Sequence, residues 1–220
     1  MLAVTLQPGQ AFTAEAGAMV ARHRNVQMEV RLNASERAGF LAKLWSIIIA
    51  LLRKLIVGET FFVNRFAADS TGPGTVWIAP SLSGQISQRR LNGETLTLTS
   101  GAYLGHRGDF DLKLRFGGMR ALLSKEGLFF LEISGIGDLF FNSYGGIHAV
   151  EVDGTYLVDN GHLVGWDGDL DFTIRSAGGG VMGLVASGEG LVCELRGRGR
   201  VYLQSRNLSS LVDWLTPMLP

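Results

Sequence analysis

The sequence predicts an all-β protein built from three tandem β-sandwich repeats of about 60 residues, with one inserted helix and a short C-terminal helix. Three observations lead there. Two signatures each recur three times along the chain. Glycine is in excess, 30 residues against five prolines, which suits many tight turns and bulges between short strands. Runs such as Thr95-Leu96-Thr97-Leu98-Thr99 alternate apolar and polar side chains, the period of a half-buried strand.

Met1-Leu2-Ala3-Val4-Thr5-Leu6 reads as a first strand. It lacks the basic start and long apolar run of a secretory signal, so a cytoplasmic location is expected. The first signature follows: an apolar residue, a polar turn with glycine, an alternating strand, then a second glycine before apolar residues. Its copies run from Leu6 to Val20, from Leu91 to Leu104 and from Val152 to Val164. Asn92-Gly93 and Asp153-Gly154 within it are dipeptides favoured in hairpin turns, which need positive φ.

The second signature is Gly-x-Gly-x-apolar-aromatic-apolar. It appears at Gly72–Ile78, Gly135–Phe141 and Gly197–Leu203, spaced by about 63 and then 62 residues. Paired glycines before an aromatic mark strands that cross closely or bulge. Trp77, Phe140 and Tyr202 recur at one position and imply three similar packing sites. A phosphate-binding reading fails, because it needs a third glycine opening a helix and these glycines lead into strands. The repeats delimit 1–89, with a helical insertion at 35–57, then 90–150 and 151–207, followed by a C-terminal helix and tail at 208–220.

The insertion contains the one long helical pattern outside the C-terminus. Lys43, Ser46, Ala50, Arg53 and Lys54 share a narrow face, and the remainder is apolar. Lys43 and Arg53 interrupt it too closely for a spanning helix, which needs ~20 predominantly apolar residues. Three readings stay open: a lid on the β core, a subunit interface, or a peripheral membrane contact. Trp45, Ile48 and Leu52 are the candidate anchors for the last two. At the C-terminus, Leu208–Thr216 has the pattern of a short amphipathic helix stopped by Pro217, expected to dock on the last repeat.

Charge and chemistry restrict function further. The 20 basic and 20 acidic residues cancel, so the bulk basic excess of a duplex-binding protein is missing and nucleic acid is not the favoured partner. Cys193 is the sole cysteine, which excludes an internal disulfide and a cysteine zinc site; its alternating strand makes it a small core residue. His23, His106, His148 and His162 lack metal-ligand spacing and are read as surface or hydrogen-bonded residues. Asp167, Asp169 and Asp171 alternate along one strand face, but without the twelve-residue loop of a calcium site. No catalytic, cofactor or metal residues are assigned, no small-molecule substrate is identified, and the protein is not expected to be an enzyme.

The strongest charge pattern is Glu194-Leu195-Arg196-Gly197-Arg198-Gly199-Arg200. Period-2 spacing puts Arg196, Arg198 and Arg200 on one face, as a candidate anion or nucleic-acid contact. The competing reading is a solvated face with cross-strand ion pairs.

Several phrases resemble a known family: Gly58-Glu59-Thr60-Phe61-Phe62, Gly74-Thr75-Val76-Trp77-Ile78-Ala79-Pro80-Ser81, Val158-Asp159-Asn160-Gly161-His162-Leu163-Val164, and Gly197-x-Gly199-x-Val201-Tyr202-Leu203-Gln204-Ser205-Arg206. They resemble the altered-inheritance-of-mitochondria family, a fungal mitochondrial biogenesis protein and its prokaryotic relatives. The resemblance implies a fold related to the tryptophan RNA-binding attenuation protein, with three such β units in one chain. Fungal relatives are associated with organisation of the mitochondrial inner membrane. The resemblance brings no catalytic residues, and RNA binding does not follow from the fold. The resulting expectation is a non-catalytic homo-oligomeric scaffold, a trimer by preference, with peripheral membrane contact as an added possibility and the arginine stripe as the alternative site.

Overall fold

The structure, a computed structural model, describes residues 1–32, 62–116, 129–176 and 191–218. The helical insertion at 35–57, with Trp45, Ile48 and Leu52, lies outside the described residues. What is described is mostly β-strand, with two antiparallel sheets and one short C-terminal helix.

Six short strands come first: β1 (Leu2–Leu6), β2 (Ala11–Glu15), β3 (Met19–Arg22), β4 (Val26–Leu32), β5 (Phe62–Ala68) and β6 (Gly74–Ile78). Six long strands follow: β7 (Ile86–Thr99), β8 (Tyr103–Phe116), β9 (Phe129–Asn142), β10 (Ile147–Asp159), β11 (Leu163–Ser176) and β12 (Leu191–Gln204). Single 3₁₀ turns, Ser100–Ala102 and Asn160–His162, join β7 to β8 and β10 to β11. The smaller sheet is ordered β1-β6-β3, and the nine-stranded one β10-β12-β11-β7-β9-β8-β2-β5-β4. Within each consecutive set of three, the strand latest in sequence lies in the middle.

Alternation explains the burial. Leu96 and Leu98 are buried while their threonine neighbours face outward or lie half-covered. Three apolar clusters result. One holds Leu6, Phe12, Val26, Phe66 and Ile78 from β1–β6. A second holds Leu96, Leu98, Tyr103, Ile133 and Phe141 from β7–β9, and a third Trp166, Ile174, Cys193, Leu195 and Val201 from β10–β12. Phe130 of β9 reaches the third cluster, where its ring meets Trp166 edge-on at 5.1 Å. Cys193 is fully buried, as its alternating context requires.

Two expectations need correction. Asn92-Gly93 and Asp153-Gly154 do not turn hairpins; they lie inside β7 and β10. Gly93 (φ +109°) and Gly154 (φ +122°) satisfy the same positive-φ requirement within a strand. At Asn92–Thr95 the register against β9 also slips, as in a bulge. The corresponding stretch between Leu6 and Ala11 breaks the chain into β1 and β2. The C-terminal helix, α1 (Leu208–Leu215), does not dock: it buries none of its residues, and Trp214 is 60% exposed. Asn207 caps it, its Oδ1 accepting from the Ser209 and Ser210 amides while its Nδ2 donates to Asp159 Oδ1 at 3.4 Å.

Two of the three Gly-x-Gly pairs, Gly135 with Gly137 and Gly197 with Gly199, mark close strand crossings, whereas a Cβ at Gly72 of the first copy would meet nothing within 4 Å. A Cβ at Gly137 would lie 2.1 Å from the Arg107 carbonyl oxygen of β8, and one at Gly197 2.1 Å from that of Asp169 in β11. Neither position admits a side chain without moving backbone.

Candidate functional site

The arginine stripe sits on β12, the middle strand between β10 and β11, so its surroundings are set by register. Arg196 stands opposite Asp171, Arg198 opposite Asp169 and Arg200 opposite Asp167 on β11. On β10, Arg198 faces Asp153 and Arg200 faces Glu151. The aspartate and arginine motifs of the sequence are therefore the two sides of one three-rung ladder, because directly opposed residues share a sheet face.

The side chains follow that arrangement. Arg198 Nη2 lies 2.7 Å from Asp153 Oδ2, and Arg200 pairs with Glu151. Arg196 Nη2 lies 3.0 Å from Glu194 Oε1, and the other oxygen of that buried carboxylate takes Arg175 Nε at 2.8 Å. All three arginines thus have carboxylate partners, and the Arg198 and Arg200 pairs are exposed, so their net worth is small. An open depression of about 740 Å³ beside them is lined by Asp153 and Asp169 as well as Arg196 and Arg198. Its charge is mixed, and an incoming anion would have to displace carboxylates already in place.

A second polar group went unnoticed in the sequence. Arg89 of β7 places Nη2 2.9 Å from Asp167 Oδ2 and donates through Nη1 to the Tyr202 hydroxyl at 2.6 Å. That hydroxyl donates to Asp167 Oδ2 at 3.0 Å. Partial burial and the adjacent carboxylate push the phenol pKa up, keeping the donor proton in place. This clasp joins β7 to β11 and β12 beside a cleft of about 310 Å³. One signal pointed to it: of Trp77, Phe140 and Tyr202, Tyr202 alone carries a hydroxyl, which needs a partner when covered.

Three of the four histidines make hydrogen bonds within the fold, and His148 is exposed. His23 Nδ1 accepts from the Thr75 amide at 3.2 Å, and its ring meets Trp77 edge-on. His162 Nδ1 donates to the Gln204 carbonyl at 2.7 Å. His106 is buried with Nδ1 2.8 Å from the Tyr103 hydroxyl, and burial lowers its pKa to about 4. Among the described residues, no three His, Cys, Asp or Glu side chains gather as metal ligands would.

Fold and site together define a mostly β protein whose conspicuous glycines bend strands and whose conspicuous charges pair with one another. No helix among the described residues is long and apolar enough to cross a membrane. The chain belongs to the mitochondrial biogenesis AIM24 family, whose family model matches residues 1–206. The matched span ends just before α1. An uncharacterized protein of Streptococcus pyogenes serotype M6 is 31% identical over 223 aligned residues, covering 100% of this chain and 87% of the relative. The X-ray structure of protein SPYM3_0169 from Streptococcus pyogenes is similar at a TM-score of 0.77 and 31% identity, covering 99% of this chain and 93% of that one.

Proposed function

We propose that the protein is a non-catalytic scaffold that works as a homo-oligomer, a trimer by expectation, from three tandem β units of one ancestry. The units are those delimited in the sequence, with boundaries moved to the turns before Ile86 and Ile147, where β7 and β10 begin. The recurrent strand order supports the tripling: β7-β9-β8 and β10-β12-β11 repeat what β1-β6-β3 and β2-β5-β4 do with shorter strands. A sandwich of the tryptophan RNA-binding attenuation protein type is the architecture this reading implies.

One observation carries the functional part. Arg196, Arg198 and Arg200 are paired within the chain, while apolar side chains stand uncovered on edge strands: Val20 is 57% exposed, Val30 61% and Leu157 59%. Uncovered apolar strand edges are surfaces that a protein contact buries. Peripheral membrane contact through Trp45, Ile48 and Leu52 belongs to the same proposal. Ion and nucleic-acid binding at Arg196, Arg198 and Arg200 has less support, since each is already paired.

Light scattering on the full chain tests the assembly. The expected mass is a multiple of 23.8 kDa, with three chains the favoured number, and a monomer at all concentrations would sink the scaffold reading.

A further inference from the structure

Two seams of similar construction hold the nine-stranded sheet together. At the first, β8 meets β2, with His106 opposite Thr13 and Gly105 opposite Ala14. At the second, β11 meets β7, with Gly165 opposite Leu98 and Trp166 opposite Thr97. Side chains cross both seams. Leu104 and Phe140 pack with the cluster of β1–β6, while Val164 and Tyr202 pack with that of β7–β9. In return, Val63 enters the β7–β9 cluster and Phe130 that of β10–β12.

Each end of the chain holds an unused half of this arrangement. Val20 is bulged against β6 between Met19 and Ala21, as Leu104 is against β9 and Val164 against β12. Leu104 and Val164 are 0% and 1% exposed, whereas Val20 is largely open. Trp77 stands opposite Ala21 as Phe140 stands opposite Gly105 and Tyr202 opposite Gly165. At the other end, Leu157 and Val158 of β10 correspond to Thr97 and Leu98 of β7 and to Thr13 and Ala14 of β2. The inner seams thus have threonine where the outer edge of β10 exposes a leucine.

We propose that the Val20, Ala21 and Trp77 face of one copy docks on the Tyr156–Leu157–Val158 edge of β10 in a second copy, forming a third seam head to tail. This rests on the oligomeric reading and names the surfaces that make the oligomer. A joint built twice within the chain and left open once at each end is complementary between copies. Because its two sides differ, the contact is heterologous and closes into a ring when the rotation permits. One residue departs from the inner pattern. A Cβ at Gly105 would lie 2.6 Å from the Thr13 carbonyl oxygen, and one at Gly165 2.3 Å from that of Thr97. Ala21 carries such a methyl, so the third seam is wider than the internal two and apolar side chains carry it more than ladder hydrogen bonds.

Full-length chains with Val20→Asp or Leu157→Asp test this by light scattering, with circular dichroism confirming the fold. Both side chains are exposed, so neither change puts a charge into the core. Wild type should be multimeric and each variant monomeric. An equimolar mixture of the two variants should give a dimer, since one intact head then meets one intact tail. Ala21→Gly should lower the concentration at which wild type dissociates by several-fold. A multimeric wild type with both aspartate variants still multimeric, or with no dimer in the mixture, overturns the head-to-tail seam and leaves the oligomer standing. A monomeric wild type removes both.

Discussion

At the scale of single residues, His106 gives the clearest energetic handle. Its imidazole lies between Tyr103 and Phe110, with the Phe110 ring 4.9 Å away, and burial lowers its pKa from 6.5 to about 4. The unfolded chain therefore binds a proton near pH 6.5 that the folded chain refuses until about pH 4. Below pH 6.5 the unfolded state holds more protons, so stability falls as pH falls through that window and levels off beneath it. The full effect is about 3 kcal/mol. Denaturant midpoints of wild type and His106→Gln, measured from pH 7 to pH 4, isolate it from the carboxylates common to both. The variant should gain on wild type as acid is added. A difference that stays constant across the range would refute the assignment.

At the scale of elements, α1 buries none of its residues. Its formation therefore depends on the Asn207 cap and its own ladder, and helices this short are marginal in water. Ending the chain after Asn207 should change the urea-derived stability by less than about 0.5 kcal/mol. A loss above about 2 kcal/mol would mean that the helix supports the sheet after all. The contrast with the strands shows which features a sequence reveals. Leu96 and Leu98 announced their burial because alternation is local, and the Gly135 and Gly137 pair announced a crossing because few other causes demand two such glycines. Asn92-Gly93 was ambiguous for a physical reason: a hairpin turn and a bulge inside a strand ask for the same positive φ. The pairing of Arg198 with Asp153 depends on which strands become neighbours, across 45 residues of chain, and no local pattern carries that register. Docking of α1 failed for the converse reason, since an apolar face states a need for cover without supplying it.

At the scale of the whole molecule, cohesion concentrates at the seams. β11 and β7 share three paired positions, Gly165 with Leu98, Trp166 with Thr97 and Asp167 with Leu96. So short a ladder leaves side chains to hold the β10–β12 group to the rest, and the Arg89–Asp167–Tyr202 clasp closes it beside Val164. Removing the carboxylate by Asp167→Ala takes the charge partner from a partly covered guanidinium and the acceptor from a partly covered phenol, leaving their bond to each other. That should cost about 1–3 kcal/mol, the usual penalty for orphaned polar partners. Asp153→Ala, which breaks an exposed pair on the same sheet, should cost less than about 1 kcal/mol. Paired with Arg89→Met in a double-mutant cycle, Asp167→Ala should show a coupling of at least about 0.5 kcal/mol. Hydrogen exchange adds the spatial readout: amides of β10 and β12 should open more readily in Asp167→Ala than those of β2 and β5. Uniform acceleration across all strands, with no coupling to Arg89, would show that the clasp is ornamental and that the apolar crossings alone bind the groups together.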